Sequence, residues 1–309
     1  MAVTQGRVLV TGGAGFIGVN LAPVLAGLGY ATRCYDNFST GRRADAERAA
    51  YDEIVEGDVL EAQGLADATR DCTHLVHLAA QAGVPASVED PVTDCELNVR
   101  GTLQALLAAR DAGVAGFVFA SSNAPLGELT GPAHEGVVAR PTSPYGASKL
   151  AGEAYCSAFA GSYGVPTTVL RFANVYGPYS YHKGSVVAAF CKRALTGQSL
   201  VVFGDGSQTR DFVYVEDLCR GIASALAFGG KGLVAHLASG TETTVLEVAG
   251  MVAQRFGGLP VEHRPARVGD VARSVADVST ASELFGYVPH VTLEEGLDRT
   301  VAWFRESDA

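Results

Sequence analysis

A tyrosine and a lysine in the segment SPYGASK have the side chains and the spacing for acid–base chemistry. Tyr145 and Lys149 are four residues apart, so a helix would present them on one face, and Pro144 suits the first turn of that helix. A neighbouring ammonium lowers the pKa of a tyrosine below its usual value of about 10. The pair therefore predicts a base that works near neutral pH, although an ordinary surface helix could carry the same two residues.

Two serines at the end of a strand-like run provide a third group. Ser121 and Ser122 follow the apolar residues 117–120. A hydroxyl there can hydrogen-bond a substrate alcohol as the alcohol loses its proton, while a cofactor oxidises the same carbon. Serines also end strands for reasons of turn chemistry. Only their coincidence with Tyr145 and Lys149 favours a catalytic site.

The elements that would position these groups begin with the segment RVLVTGGAGFIG. A short valine-rich run enters a turn that carries Gly12, Gly15 and Gly18, and an apolar helical pattern runs from Phe16 to about Gly29. Glycine suits this turn because backbone N–H groups must touch a pyrophosphate, whose charge then lies at the helix N-terminus. The segment predicts a strand, a turn and a helix that bind a dinucleotide.

An acidic residue follows at the distance that such a turn requires. A second strand, ATRCYD, ends at Asp36, about 20 residues past the turn, where a carboxylate can hydrogen-bond the adenosine ribose. This position favours NAD over NADP. Arg42 and Arg43 could meet a 2′-phosphate, but two arginines in a polar loop are the more ordinary interpretation.

Strand-like and helical stretches alternate along the first half of the chain. The apolar runs are residues 54–58, 75–80, 117–122 and 168–174. This alternation predicts an α/β fold of Rossmann type, with a doubly wound parallel sheet covered on both faces. Ligands bind at the carboxyl ends of such strands, so Asp58, Ala79, Ala80, Ser121 and Ser122 should face the cofactor.

The pattern changes after Gly177, where short strands such as SLVVFG alternate with helices at 244–256 and 293–305. We predict a smaller C-terminal α/β domain for the substrate, while residues 211–239 return to the main sheet. The expected cofactor-binding domain is 1–173 with 205–240, and the expected substrate-binding domain is 174–204 with 241–309.

Composition restricts the class of ligand. The chain has 309 residues, 48% of them hydrophobic, and a formal net charge of −10. This charge argues against binding to nucleic acid or to an anionic membrane, so a small ligand is expected. No apolar stretch approaches the ~20 residues of a bilayer span, and MAVTQGRVLV lacks a signal-peptide layout. We expect a soluble, cytoplasmic protein.

The six cysteines lack the paired spacing of a zinc site or redox motif, so buried free thiols are expected. They are Cys34, Cys72, Cys95, Cys156, Cys191 and Cys219. His74 and His77 share one strand-like run without a matching ligand pair elsewhere. We predict no metal site.

The motifs, taken in order, resemble successive blocks of the extended short-chain dehydrogenase/reductase family, and in particular of its NAD-dependent nucleotide-sugar epimerases and dehydratases. These motifs are TGGAGFIG, DNFSTG, HLAA, LNVRGT, ASS, SPYGASK, LRFANVYGP, VVFGDGSQTRDFVYVEDL and RVGDVARSVADVSTASELFGYVP. The resemblance covers nearly the whole chain. It implies tightly held NAD, with Tyr145 as base, Lys149 orienting the nicotinamide ribose and lowering the pKa of Tyr145, and Ser122 bonding the sugar 4-hydroxyl.

The resemblance also implies two sets of binding residues. Those around NAD are Gly12, Gly15, Phe16, Ile17, Asp36, Asn37, Ser39, Gly41, Asp58, Val59, Leu78, Ala79, Ala80, Asn98, Ser121, Tyr145, Lys149 and Phe172. Those around a UDP-sugar are Ser122, Asn123, Tyr145, Asn174, Val187, Phe203 beside the uracil, Arg210, Arg267, Asp270 and Ser274.

The two arginines of the second set have a reason independent of the resemblance. An acidic protein that binds a nucleotide diphosphate needs fixed cations, and a guanidinium suits phosphate oxygens. The alternatives are that Arg210 pairs with the adjacent Asp211 and that Arg267 is a solvated loop charge.

Two neutral residues limit which reaction of the family this chain can catalyse. Dehydratases of the family carry an Asp-Glu pair directly after the hydroxyl residue, but this chain has Asn123 and Ala124, which cannot transfer protons. We therefore predict a UDP-sugar 4-epimerase that works by reversible oxidation of the 4-position with bound NAD, rotation of the 4-keto sugar and return of the hydride. The alternatives are a nucleotide-sugar reductase or synthase that releases its cofactor, and a non-catalytic NAD(H)-sensing protein.

The sugar and the oligomeric state stay open. His182 and Lys183 could pair with a uronate carboxylate, although an exposed loop lysine is the plainer interpretation. In relatives restricted to unsubstituted hexoses a bulky aromatic stands where this chain has Ser274, which favours acceptance of N-acetylhexosamines. The resemblance implies a homodimer formed by helices near 93–112 and 145–160.

Overall fold

The computed structural model describes residues 5–266 and 271–307, and within them twelve strands and twelve α-helices. The strands are β1 Arg7–Thr11, β2 Ala31–Asp36, β3 Glu53–Glu56, β4 His74–His77, β5 Gly116–Ser122, β6 Thr167–Phe172, β7 Asn174–Tyr176, β8 Leu200–Phe203, β9 Thr209–Tyr214, β10 Leu233–Leu237, β11 Glu242–Thr244 and β12 Val261–Arg264. The helices are α1 Phe16–Gly27, α2 Arg43–Arg48, α3 Ala62–Thr69, α4 Val84–Glu89, α5 Pro91–Cys95, α6 Gly101–Ala112, α7 Pro144–Tyr163, α8 Val186–Leu195, α9 Val215–Phe228, α10 Val245–Arg255, α11 Ser279–Phe285 and α12 Leu293–Glu306. A π-helical turn, Glu96–Arg100, joins α5 to α6, and a 3-10 turn, Ala124–Leu126, follows β5.

Seven parallel strands form the main sheet in the order β10-β6-β5-β4-β1-β2-β3. Apolar side chains alternate between its two faces, because Val8 and Val10 of β1 join one buried cluster whereas Leu9 joins another. The first cluster includes residues of α1 and α9, and the second includes residues of α3, α6 and α7. The predicted doubly wound α/β fold is confirmed.

Helix α7 has the start that its sequence predicts. Pro144 is its first residue, and the Ser143 hydroxyl accepts a hydrogen bond from Gly146 N at 3.1 Å. The helix packs close to β5 because Gly152 has no side chain. A Cβ there would lie within van der Waals overlap of the Phe119 ring. The predicted helical face at 145–160 is therefore held tightly on the main sheet.

The second half of the chain builds two smaller sheets, β11-β9-β7 and β12-β8. They share a separate buried cluster with α8, α10 and α12. The predicted strand over 168–174 is divided, since β6 ends at Phe172 and β7 joins the smaller sheet. The expected return to the main sheet is confirmed by β10, which pairs with β6.

The pairing of the strands follows the predicted domain boundaries only in part. In segment 205–240, β10 joins the main sheet and α9 packs against it. Strand β9 of the same segment lies in the smaller sheet with β7. The division into 1–173 with 205–240 and 174–204 with 241–309 stays a prediction.

Membrane-spanning helices, metal-binding groups and cysteines can be examined in the described residues. None of their helices combines the length and the apolar character that crossing a bilayer demands. They contain no group of three His, Cys, Asp or Glu side chains arranged to hold a metal ion. All six cysteines are free, but Cys95 is exposed, so the expectation of uniformly buried thiols is wrong at that position.

Two buried histidines predict a loss of stability in acid. His77 lies between Thr11 Oγ1 at 2.7 Å and Thr102 Oγ1 at 3.2 Å, and His236 is fully buried on β10. Burial, with nearby Lys149 and Arg171 respectively, lowers the pKa of each histidine from 6.5 to about 3. Between these values the unfolded chain binds more protons, so the free energy of unfolding falls as the pH falls, by about 1.4 kcal/mol per pH unit for each histidine.

The measurement is urea unfolding at several pH values between 7 and 4. His77→Gln can still hydrogen-bond both threonines but cannot titrate, so its free energy of unfolding should depend less steeply on pH. Identical pH dependence in the wild type and the variant would contradict the assignment.

Candidate active site

The tyrosine, lysine and serine singled out by the sequence meet at the carboxyl end of β5. Ser122 ends β5, and its hydroxyl lies near enough to the Tyr145 phenol to lower the pKa of Tyr145. Lys149 Nζ donates to Ala120 O at 2.9 Å and lies 5.9 Å from the centroid of the Tyr145 ring. The predicted constellation is therefore preformed, with the ammonium held by the strand that carries Ser122.

The pKa values of this pair differ from the sequence-based expectation. Burial raises the pKa of Tyr145 to about 12, and the hydrogen bond with Ser122 offsets part of that rise. Burial lowers the pKa of Lys149 to about 8, although Asp94 opposes this shift. The expected lowering of the Tyr145 pKa is therefore not seen, because desolvation is the largest cause and the nearby Asp94 adds to the rise.

The π-helical turn before α6 holds the loop that follows β4. Asn98 Oδ1 accepts from Gln81 N at 2.9 Å, and Asn98 Nδ2 donates to Asp94 Oδ1 at 2.8 Å and to Ser148 Oγ at 3.2 Å. This fully buried amide, which the resemblance assigns to the cofactor, has its hydrogen bonds made within the protein. These bonds fix the backbone of Gln81, the residue that follows Ala80.

Ser121 binds a carboxylate within the protein. Its hydroxyl donates to Glu153 Oε1 at 2.6 Å, and Glu153 forms a buried ion pair with Arg171 at 2.6 Å. The Ser121 side chain thus links β5 to α7, and only its backbone is left to face a cofactor. The sequence analysis missed Glu153 and Arg171, although a charged residue on the buried face of α7 is a readable signal.

A histidine on β10 orients the residue that follows Ser122. His236 Nδ1 lies 3.0 Å from Asn123 Oδ1, and Glu135 Oε1 accepts from His236 N. Asn123 Nδ2 is buried and has no partner among the described residues. Asn123 therefore keeps one unused amide donor next to Ser122 in sequence, and its contact with the substrate stays a prediction. The sequence analysis missed His236 because no nearby residue marks it.

The glycine turn is packed against the end of β4. Gly12 has a φ of +69°, and a Cβ there would lie 2.7 Å from Ala79 N. Leu78 N donates to Thr11 O at 3.0 Å, which holds the two strand ends together. Phe16 begins α1 after the N-cap residue Gly15, and Ile17 packs partly buried beside it. The structure therefore brings these predicted dinucleotide contacts together at one edge.

Asp36 lies where the sequence predicts and also fastens the turn. Its Oδ2 accepts from Ala14 N at 2.9 Å, and its Oδ1 accepts from Phe38 N at 2.8 Å. Burial raises its pKa against the effect of these two bonds. Asn37 Nδ2 donates to Asp58 Oδ2 at 2.9 Å and Asn37 Oδ1 accepts from Ser39 N at 3.0 Å.

The other predicted cofactor residues lie near this loop or at the end of another strand of the main sheet. Gly41 is buried against the backbone of Ala14, Val59 packs at the end of β3, and Phe172 is buried at the end of β6. The two arginines beyond are engaged elsewhere. Arg42 stacks 3.9 Å from the Tyr181 ring centroid, and Arg43 pairs with Glu56.

The predicted substrate contacts fall on the smaller sheets and their helices. Asn174 begins β7, and Val187 is buried in the first turn of α8. Phe203 ends β8 and lines a cavity of about 300 Å³ with Gln208 and Ala266. A cavity of this size beside Phe203 is compatible with the predicted base subsite.

The remaining contacts lie around the segment that follows residue 270. Arg210 Nη1 donates to Thr209 O at 2.7 Å and to Val271 O at 2.6 Å. Ser274 is half-buried, and Ala133 N donates to Val275 O at 2.8 Å. The predicted contacts Arg267 and Asp270 lie outside the described residues.

Comparison with known proteins decides the family. The sequence profile described as the NAD dependent epimerase/dehydratase family matches residues 8–236, which is well over half of the chain. This chain belongs to the NAD-dependent epimerase/dehydratase family. The match spans the glycine turn, both serines and the tyrosine–lysine pair.

Members of the family resemble this chain over nearly its whole length. A UDP-glucose 4-epimerase of Mycolicibacterium smegmatis is 37% identical over 97% of this chain and 98% of its own. The Thermus thermophilus UDP-glucose 4-epimerase, solved in complex with NAD, is 39% identical with a TM-score of 0.89, covering 97% of this chain and 99% of its own. A UDP-N-acetylglucosamine 4-epimerase of Methanobrevibacter ruminantium, solved with UDP-N-acetylmuramic acid, is 30% identical with a TM-score of 0.93, covering 98% and 99%.

NAD is the cofactor of this family, and the residues present fit it. The turn at Gly12 has no room for a Cβ, and the first-turn N–H groups of α1 are available to a diphosphate. Asp36 ends the neighbouring strand, at the position where a ribose acceptor is expected.

Asp36→Ala is expected to weaken NAD binding by about 10- to 100-fold, because a charge-assisted hydrogen bond to the ribose is lost. The measurements are the amount of NAD retained through purification and the dissociation constant of added NAD. Glu56→Ala is the matched control, since Glu56 pairs in register with Asp36 but is exposed. Equal NAD affinity in both variants would remove Asp36 from the cofactor site.

Proposed function

We propose that this protein is an NAD-dependent UDP-sugar 4-epimerase. The observation that carries the proposal is the Ser122 hydroxyl next to the Tyr145 phenol, with Lys149 fixed on β5, at the sheet edge that also holds the glycine turn. These groups are suited to removing the proton of a secondary alcohol and returning it. The matching substrates are UDP-glucose or UDP-galactose, a UDP-N-acetylhexosamine and UDP-glucuronate.

Each residue has a separate task in this proposal. Tyr145 takes the proton of the sugar 4-hydroxyl and later returns it, and Ser122 hydrogen-bonds the same oxygen. Lys149 holds a positive charge on the side of Tyr145 that faces β5. Bound NAD supplies reversible oxidation of the 4-position, which these side chains cannot provide.

Elimination of water is disfavoured by the residues after Ser122. Ala124 has no titratable group, and the amide of Asn123 is held by His236 with its Nδ2 as a donor. A 4,6-dehydration needs an acid for the leaving hydroxyl and a base for a carbon-bound proton, and neither residue serves. Epimerisation needs only the Tyr145 proton relay.

Assembly, domain roles and compartment are part of the same proposal. The Rossmann half binds NAD and the smaller half binds the nucleotide sugar. Two chains pair through α5, α6 and α7, where Val92, Tyr155 and Tyr163 expose apolar surface. Six free thiols favour a reducing compartment such as the cytoplasm.

The test is incubation of the purified protein with a panel of UDP-sugars, without added cofactor, followed by separation of the epimers. An epimerase carries NAD and turns over unaided. A requirement for added NADPH would favour a reductase or synthase, and bound NAD without turnover would favour an NAD(H)-sensing protein. Absence of any dinucleotide, even after NAD is supplied, would contradict all three.

Ser274→Tyr is predicted to abolish epimerisation of UDP-N-acetylglucosamine while sparing UDP-glucose. Ser274 precedes Val275 and Ala276, and Ala276 packs with Leu126 and Ala133 just beyond Asn123. A tyrosine at this place would fill the space beside the sugar 2-substituent. The measurement is kcat/KM for both substrates.

Ser274→Ala is the matched control and should leave both rates near the wild-type values, since it keeps the side chain small. Equal losses for the two sugars in Ser274→Tyr, or no loss for either, would show that this position does not control access to the 2-substituent.

A further inference from the structure

The loop from β7 to α8 packs against the first turn of α1. Asn20 Nδ2 donates to Phe16 O at 2.8 Å and to Pro178 O at 3.1 Å, which joins the loop to the helix. Ser180 is buried, and its hydroxyl donates to Gly177 O at 2.7 Å. Lys183 N donates to Ser180 O at 2.9 Å. These bonds give the loop one defined path over the helix.

An ammonium group in this loop has no anionic partner. Lys183 Nζ lies 5.0 Å from the centroid of the Phe16 ring. No carboxylate in residues 5–266 and 271–307 comes within ion-pair distance of it, and burial alone lowers its pKa to about 8. Asp45, which adds a favourable charge near the neighbouring His182, already accepts from Tyr181 and pairs with Arg48. Lys183 is half-buried, and a partly desolvated cation without a counter-ion is costly unless a ligand neutralises it.

Other donors around Lys183 are also available to an anion. Lys192 adds a second positive charge, since its Nζ donates to Lys183 O at 2.8 Å. His182 Nδ1 and Ser185 Oγ are buried and have no partner among the described residues. Ser185 is the N-cap residue of α8, yet its side chain does not cap the helix. In a chain of net charge −10, this loop is a local exception.

The position of Lys183 indicates which part of a ligand it meets. Phe16 is the first residue of α1 and directly follows Gly15 of the glycine turn, where a diphosphate is expected. The first turn of α8, with its own unpaired N–H groups, begins two residues beyond Gly184. Lys183 therefore lies beside the start of α1 and three residues before the start of α8.

We propose that Lys183 binds a diphosphate oxygen of a nucleotide ligand beside the first turn of α1. The inference rests on the proposed function, which supplies two ligands of this chemistry, the dinucleotide and the nucleotide sugar. It differs from a contact with a uronate carboxylate, which would lie at the sugar end near Ser122 and Tyr145.

The experiment compares Lys183→Gln and Lys183→Arg with Lys231→Gln, a control at an exposed lysine. NAD and UDP are the probes, and their dissociation constants are measured by calorimetry at two salt concentrations. Lys183→Gln should weaken one probe by about 10- to 100-fold, and Lys183→Arg should recover most of that loss because it keeps the cation. Lys231→Gln should change neither constant.

The pattern of losses identifies the source of the diphosphate. Weaker NAD binding alone assigns Lys183 to the dinucleotide, and weaker UDP binding alone assigns it to the nucleotide sugar. Unchanged constants for both probes, or the same loss in Lys231→Gln, overturn the proposal. If the wild type fails to bind UDP, the proposed function fails, but the NAD titration still decides the role of Lys183.

Stability gives an independent readout. The ammonium has no carboxylate partner in the part of the chain that the structure describes, so Lys183→Met should leave the melting temperature unchanged or raise it while it weakens ligand binding. A merely structural lysine would behave in the opposite way. A lower melting temperature in Lys183→Met with normal affinity for both probes would therefore also overturn the proposal.

Discussion

Replacing Tyr145 by phenylalanine is expected to lower turnover at least ~100-fold while the protein stays folded. The phenol oxygen lies near the Ser122 hydroxyl and is the group placed to exchange a proton with the sugar 4-hydroxyl. The ring itself packs unchanged in the variant. Turnover of the preferred UDP-sugar and the thermal melting curve are the two measurements.

Tyr155→Phe is the matched control, because Tyr155 lies on the same helix but is exposed. It should keep wild-type turnover. Ser122→Ala should cost less than Tyr145→Phe, since the proton can still reach Tyr145 directly. Near-wild-type turnover in folded Tyr145→Phe would remove the phenol from the mechanism.

Replacing Glu153 by leucine is expected to lower the free energy of unfolding by about 3–5 kcal/mol. The substitution leaves the Arg171 guanidinium buried without its carboxylate and removes the acceptor of the Ser121 hydroxyl. Because Glu153 joins α7 to β5 and β6, turnover should fall with stability. Urea unfolding at pH 7 measures the first effect.

The double variant Glu153→Leu with Arg171→Leu distinguishes the effect of an unpaired buried charge from the effect of altered packing. Removing both partners should recover much of the lost stability, because no unpaired charge then stays buried. Glu96→Gln, which breaks the exposed pair with Arg100, should leave stability near the wild-type value. An effect of Glu153→Leu no larger than that of Glu96→Gln would contradict the role assigned to the buried pair.

Local sequence patterns were sufficient for much of the fold and for the centre of the site. The glycine turn, the acidic end of β2 and the proline at the start of α7 each depend on neighbours within a few residues, so their signals are readable in one segment. Parallel topology then brings the strand ends to one edge, and this rule places Gly12, Asp36 and Ser122 together before any contact is known.

The sequence alone therefore determined the fold class, the dinucleotide turn and the Ser122, Tyr145 and Lys149 group. Only the tertiary structure decided how far burial raises the Tyr145 pKa and lowers that of Lys149, since desolvation depends on the whole packing around the pair. It also decided which polar groups bind partners within the protein. Asn98 meets Ser148 across 50 residues, and Asn123 meets His236 across 113, and such distant pairings leave no local pattern to read.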